Sequence, residues 1–157
     1  MCEMSGDHGV SDARISIVVS RFNDRVTDGL LAGALEALGR LGVSDDAIRI
    51  VRVAGAFEIP QVLGWLGASS VKPDAMIALG AIVRGETPHF DHLSRAVTSA
   101  LEEVALSTGI PVSNGVLTCD TPEQALARSS GATRNRGGEA AQAALEMVGV
   151  RRRLAGS

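Results

Sequence analysis

A parallel α/β fold, with a four-stranded sheet covered by helices on both faces, is predicted by two patterns in the 157-residue chain. The first is alternation. Four short runs rich in apolar and β-branched residues are separated by stretches in which apolar residues recur at helical spacing. The second is the third of those runs, from Asp74 to Val83, which is almost continuously apolar, as a strand buried on both faces requires. Parallel neighbours joined through helices imply right-handed crossovers.

Met1 to Asp12 is polar and glycine-containing, and is expected to be an arm with little structure of its own before a single domain over residues 13–157. Ile15 to Ser20 is the first strand. Asn23 or Asp24 can cap a helix carrying Val26, Leu30, Leu31, Ala34, Leu35, Leu38 and Leu41, and Gly42 stops it. Ile48 to Val53 is the second strand. A helix follows from about Ile59, with Pro60 tolerated in its first turn and Val62, Leu63 and Leu66 on one face; Ser69 to Asp74 is loop. Gly85 breaks the third strand. Thr87 then reads as a helix N-cap, with Pro88 at the first helical position, where its missing N–H costs nothing. That helix runs to about Ser107 through Leu93, Ala96, Val97, Ala100, Leu101 and Val104. Pro111 opens a fourth strand to about Thr118, and Asp120-Thr121-Pro122 caps a short helix to about Arg128. After a polar link, Ser129 to Gly137, a last helix carries Ala140, Ala141, Ala144, Leu145 and Val148. The terminal Arg151-Arg152-Arg153 run reads as a solvated end favoured by the helix dipole, with no function of its own.

A single domain of this length buries about 70% of its unfolded surface. Hydrophobic residues make up 45% and charged residues 21%, so nothing in the balance argues for disorder. A net charge of −3 and a pI of about 5.6 give no reason to expect nucleic acid or an anionic membrane as partner. No apolar run has the length of a membrane span, and Met1 to Asp12 lacks the apolar segment of a signal peptide. Cys2 and Cys119 are too few for a disulfide framework, so a reducing cytoplasm is the expected location.

In open parallel sheets ligands bind beyond the carboxyl ends of the strands. Three loops meet there: Ser20 to Asp24, Ala54 to Glu58, and Gly85 to His89. His89 then falls in the first turn of a helix at the carboxyl end of the third strand, where free N–H groups and a partial positive charge gather, which suits phosphate. The same field disfavours imidazolium, so His89 is expected to stay neutral near pH 7 and accept a proton. Any one such strand–loop–helix is more often an ordinary helix start; the weight comes from the other two loops. Phe22 has no reason to stand in a polar loop unless it stacks on something flat. Gly55-Ala56 lets backbone approach a ligand closely, and the N–H groups of Phe57 and Glu58 would face it. Phe57 itself either contacts that ligand or packs under its own helix.

The segments Ser20-Arg21-Phe22-Asn23, Gly55-Ala56-Phe57-Glu58-Ile59-Pro60, Gly80 to His89, and Gly115 to Thr118 followed by Glu123-Gln124-Ala125 resemble lumazine synthase, in order and spacing from about Ile15 to Met147. The resemblance implies a flavodoxin-like three-layer sandwich. It also implies a cofactor-free, metal-free condensation of 5-amino-6-ribitylamino-uracil with 3,4-dihydroxy-2-butanone 4-phosphate. The products would be 6,7-dimethyl-8-ribityllumazine, phosphate and water, at the penultimate step of riboflavin synthesis. By the same resemblance, Phe22 stacks on the pyrimidine, and Gly55, Ala56, Phe57, Glu58, Ala81, Ile82, Val83, Asn114 and Arg136 hold the pyrimidine and its ribityl chain. Gly85, Glu86, Thr87 and Arg128 bind the phosphate, and His89 moves protons. The site is expected between adjacent subunits of a homopentamer, with a hollow assembly of twelve pentamers and a riboflavin synthase partner as further implications.

The chain departs from the family pattern in three places. Asn114 stands where many members have phenylalanine, so amide contacts replace ring stacking. Arg136, in Asn135-Arg136-Gly137, replaces a lysine; it keeps the charge but cannot donate a proton at neutral pH. Ser130-Gly131-Ala132-Thr133-Arg134 stands where capsid-building members carry Gly-Thr-Lys-Ala-Gly, although no insertion lengthens Ser129 to Gly137.

Other chemistries fit the residues less well. A metal hydrolase could draw on Glu86, His89, Asp91 and His92, but His89 and His92 on a helix have no third ligand at the needed spacing. A Schiff-base enzyme needs a desolvated lysine, and Lys72 lies at the far end of the third strand. A non-catalytic flavin- or lumazine-binding module on the same fold is the stronger alternative. Against it, the loop after the first strand lacks a Ser/Thr/Gly phosphate nest.

Overall fold

The computed structural model describes residues 3, 5–6, 9–131 and 134–156. Cys2, most of the segment before Gly9, and Ala132 and Thr133 of the departing run are among the sequence readings that fall outside the described residues.

Among the described residues four strands, β1 (Ile15–Ser20), β2 (Ile48–Val53), β3 (Ala75–Val83) and β4 (Val112–Cys119), form one sheet in the order β2-β1-β3-β4, every neighbour parallel. Among the described residues five α-helices cover it: α1 (Asp24–Arg40), α2 (Ile59–Ala68), α3 (His89–Thr108), α4 (Pro122–Ser129) and α5 (Arg136–Ala155). The architecture is a flavodoxin-like sandwich. The period-2 alternation of β3 explains the two layers. Ala75, Ile77, Leu79 and Ala81 join a core with α1, α4 and α5, while Met76, Ala78 and Ile82 join a second core with α2 and α3. β2, at the edge, is only half covered, and Ile50 is exposed.

Helix ends follow local chemistry. Gly42 stops α1 in the left-handed region (φ 86°), and Val43 N–H reaches back to the Leu38 carbonyl at 3.0 Å while Gly42 N–H reaches Gly39, a glycine-closed helix end. Thr121 caps α4, its hydroxyl accepting the Gln124 N–H at 3.3 Å. α5 begins at Arg136, inside the expected link, because Asn135 caps it by accepting the N–H groups of Gly137 and Gly138. The Asn135 amide also donates to the carbonyls of Gly29 and Ser129, both at 2.8 Å, which locks α5 onto α1 and the end of α4.

Three local readings need correction. Asn23 sits at the start of α1 but does not cap it through its side chain. It adopts a left-handed backbone (φ 61°), which Asn tolerates, and its amide donates to the Ala81 carbonyl at 3.2 Å instead. Thr87 is not the N-cap of α3; Pro88 occupies that place with helical dihedrals, and no side chain among the described residues caps the helix. The terminal arginines are not simply solvated. Arg152 pairs with Asp12 at 2.7 Å and holds that carboxyl below its usual pKa range, and Arg153 donates to the Ser5 carbonyl. Val10, from the expected arm, is buried.

Candidate functional site

The order β2-β1-β3-β4 makes the chain switch direction between β1 and β3, and beyond the carboxyl ends of parallel strands such a switch opens a crevice. A cleft of about 580 Å³ lies there, within the range of small-molecule sites. Phe22 enters it from the loop after β1. The backbone there is pinned, Arg21 N–H to Val53 and Phe22 N–H to Ala54, yet the ring is 70% exposed. An ordered backbone presenting a bare ring suits stacking. After β2, Gly55, Ala56 and Phe57 form the opposite wall in a short 3₁₀ turn. Glu58 holds that turn by accepting the Gly55 N–H at 2.9 Å. Phe57 is 67% exposed, which removes packing beneath its own helix as its role. Ala81, Ile82 and Val83 of β3 line the floor, and Gly85, Thr87 and His89 close the far side.

Several expected residues do not line this cleft. Glu58 acts through the turn, and Glu86 is exposed. Asn114 lies on β4 opposite Ala78, its side-chain oxygen accepting the Val116 N–H at 2.9 Å. Arg128 and Arg136 line a separate hollow of about 440 Å³ with Ala127, Arg134 and Glu139. There Arg128 donates to the Gln124 carbonyl of its own helix, and Arg136 pairs with Glu139. Within one chain the two arginines therefore line a different hollow from Phe22 and His89.

Sequence reasoning assigned no role in the cleft to Phe90 and Leu93, which line it from the first turns of α3. Phe90 could have been found as the third phenylalanine of an aromatic-poor chain. Arg84 was also passed over. Its guanidinium lies 4.3 Å from the Phe90 ring centre, donates to Asp120 at 2.7 Å, and pairs with Asp91 at 3.3 Å. Both carboxylates hold the Arg84 charge more firmly than usual, the Asp120 hydrogen bond first.

The remaining reactive groups lie elsewhere. Cys119 is buried among the α1, α4 and α5 residues, and burial pushes its thiol up. Lys72 lines a hollow with Arg14 and Arg49 at the amino-terminal ends of the strands, opposite the cleft. Among the described residues no three His, Cys, Asp or Glu side chains gather in a group that could hold a metal ion, and no helix is long and apolar enough to cross a membrane.

Fold and cleft together define a parallel α/β protein with a partly apolar crevice at the β1–β3 switch, beside the N-terminus of α3. Residues 12–152 match the 6,7-dimethyl-8-ribityllumazine synthase family. The 6,7-dimethyl-8-ribityllumazine synthase of Desulfatibacillum aliphaticivorans is 44% identical over 147 residues, covering 94% of each chain. The chain belongs to the 6,7-dimethyl-8-ribityllumazine synthase family.

Proposed function

We infer that the chain is a transferase that condenses 5-amino-6-ribitylamino-uracil with 3,4-dihydroxy-2-butanone 4-phosphate to give 6,7-dimethyl-8-ribityllumazine, phosphate and water. Family membership over nearly the whole chain supports this reading. The observation that carries it at the level of residues is the cleft, where a bare phenylalanine ring faces a helix start bearing histidine. The pyrimidine stacks on Phe22, and its ribityl chain runs along the Gly55 to Phe57 turn and the ends of Ala81 to Val83. The phosphate sits at Gly85 to Thr87, where the first N–H groups of α3 have no side-chain cap. His89, exposed at that helix start, moves protons between the substrate amine, the carbonyl and the leaving phosphate. Condensation and elimination move protons but no net electrons, so the reaction calls for no redox cofactor.

Asn114, Arg128 and Arg136 complete the site from a neighbouring subunit. Their separation from the cleft of their own chain supports this arrangement, and a ring of five is the minimum active unit we propose. Twelve such rings could close into a hollow shell, and riboflavin synthase, which would consume the product, is the partner this reading names. The direct test mixes both substrates with purified protein and follows lumazine absorbance. Product formation above the uncatalysed rate supports the enzyme. Tight binding of lumazine or flavin without turnover would make the chain a binding module instead.

A further inference from the structure

Arg84 sits between the end of β3 and the loop of residues 85–88, and it contacts that loop's far side. Its backbone N–H is fixed to the Cys119 carbonyl at 2.9 Å, so the residue starts from a rigid place in the sheet. Its guanidinium lies over the ring of Phe90, 4.3 Å from the centre, and its in-plane donors reach Asp91 at 3.3 and 3.4 Å. Nε donates in addition to Asp120, just past β4, at 2.7 Å. These contacts join residue 84 to residues 90 and 91 and close the intervening loop into a ring. The first turn of α3 has no side-chain cap, so this staple takes a larger share in holding it.

Each contact is weak alone, because Arg84, Asp91 and Asp120 are all about half exposed. Their arrangement is what only arginine offers: a flat cation that stacks with its face while its edge serves two carboxylates. We propose that Arg84 is a positioning residue for the reaction: it staples the loop of residues 85–88 to the first turn of α3, and so holds the phosphate cradle and His89 in register. The staple acts before substrate arrives, so the substrate need not order the loop on binding. The proposal rests on the reading that Gly85 to Thr87 hold the phosphate.

The experiment measures kcat and both half-saturating concentrations for Arg84→Ala, Arg84→Lys, Asp91→Asn and Thr87→Ala, after circular dichroism shows each variant folded. Arg84→Ala should raise the half-saturating level of the phosphate substrate roughly five- to twentyfold and leave that of the pyrimidine within about twofold. Arg84→Lys keeps the charge but loses fork and stack, so it should resemble Arg84→Ala. Asp91→Asn separates positioning from simple attraction by sign. Loss of the anchor raises the phosphate requirement, whereas a merely electrostatic Arg84, freed of a neighbouring carboxylate, would lower it. Full rescue by lysine, or tighter phosphate binding in Asp91→Asn, overturns the proposal. If Thr87→Ala weakens phosphate binding and Arg84→Ala does not, the staple is wrong and the cradle stands. If neither changes it, the cradle reading falls and the staple with it. Should Arg84→Ala fail to fold, the lysine and Asp91→Asn variants carry the test.

Discussion

Gly85 is a glycine that the fold itself does not require. A Cβ placed there would meet nothing within 4 Å, and its backbone is outside the left-handed region. The proposed phosphate site would place a close ligand there, so Gly85→Ala should keep or slightly raise stability, by up to about 1 kcal/mol, while weakening the phosphate substrate. Thermal melts beside a phosphate-substrate titration check both halves. His89→Ala should slow turnover markedly at saturating substrate with the fold unchanged. Acid–base residues typically contribute 10²–10⁴-fold, and this case should fall at or below the low end because the amine and carbonyl condense slowly unaided. An unchanged rate would remove His89 from the mechanism. Arg128→Ala should raise the requirement for the phosphate substrate far more than for the pyrimidine, because losing a charge-assisted hydrogen bond costs roughly 1.5–3 kcal/mol. Equal weakening would make Arg128 structural. Phe22 was legible in the sequence because a phenylalanine in a polar loop has no core to serve. Arg84 was not, because its partners lie 7 and 36 residues away and only the closed sheet brings them together.

Helix boundaries were legible where the chemistry is local. Gly42 ends α1 and Thr121 begins α4 by bonds within a few residues of each. They were misread where a distant partner competes. The Asn23 amide serves Ala81, 58 residues away, rather than its own helix, and Asn135 reaches back 106 residues to Gly29 while capping α5. That second clamp needs the helices almost in contact. A Cβ on Gly137 would lie 1.9 Å from the Leu30 carbonyl oxygen, and one on Gly29 would lie 2.5 Å from that of Ser129. Gly137→Ala should therefore destabilise by about 1–3 kcal/mol or more, although alanine is the better helix former. Chemical denaturation reads this as a lower midpoint; an unchanged midpoint would mean that α1 and α5 have room to separate.

The layered sheet was legible at the scale of the molecule because alternation of period 2 and period 3.6 is written along the whole chain. Half of the candidate site was legible for the same reason, since the loops after β1, β2 and β3 must share one end of the sheet. The other half, under the proposed shared cleft, would come from contacts between chains, which a single sequence's periodicity does not encode. Arg128 and Arg136 line a hollow separate from the cleft of Phe22 and His89, and the proposed ring would bring a neighbouring copy's hollow to that cleft. Subunit mixing tests this shared cleft most directly. Phe22→Asp chains and Arg128→Ala chains, each inactive or weak alone, are co-refolded in equal amounts and assayed for lumazine formation. In a closed ring each cleft draws its halves from adjacent members, so random mixing leaves about a quarter of the clefts with both halves intact. Recovery toward that fraction of wild-type turnover is expected; activity no higher than the mean of the two separate variants, or an active monomer by light scattering, would contradict a site shared between subunits.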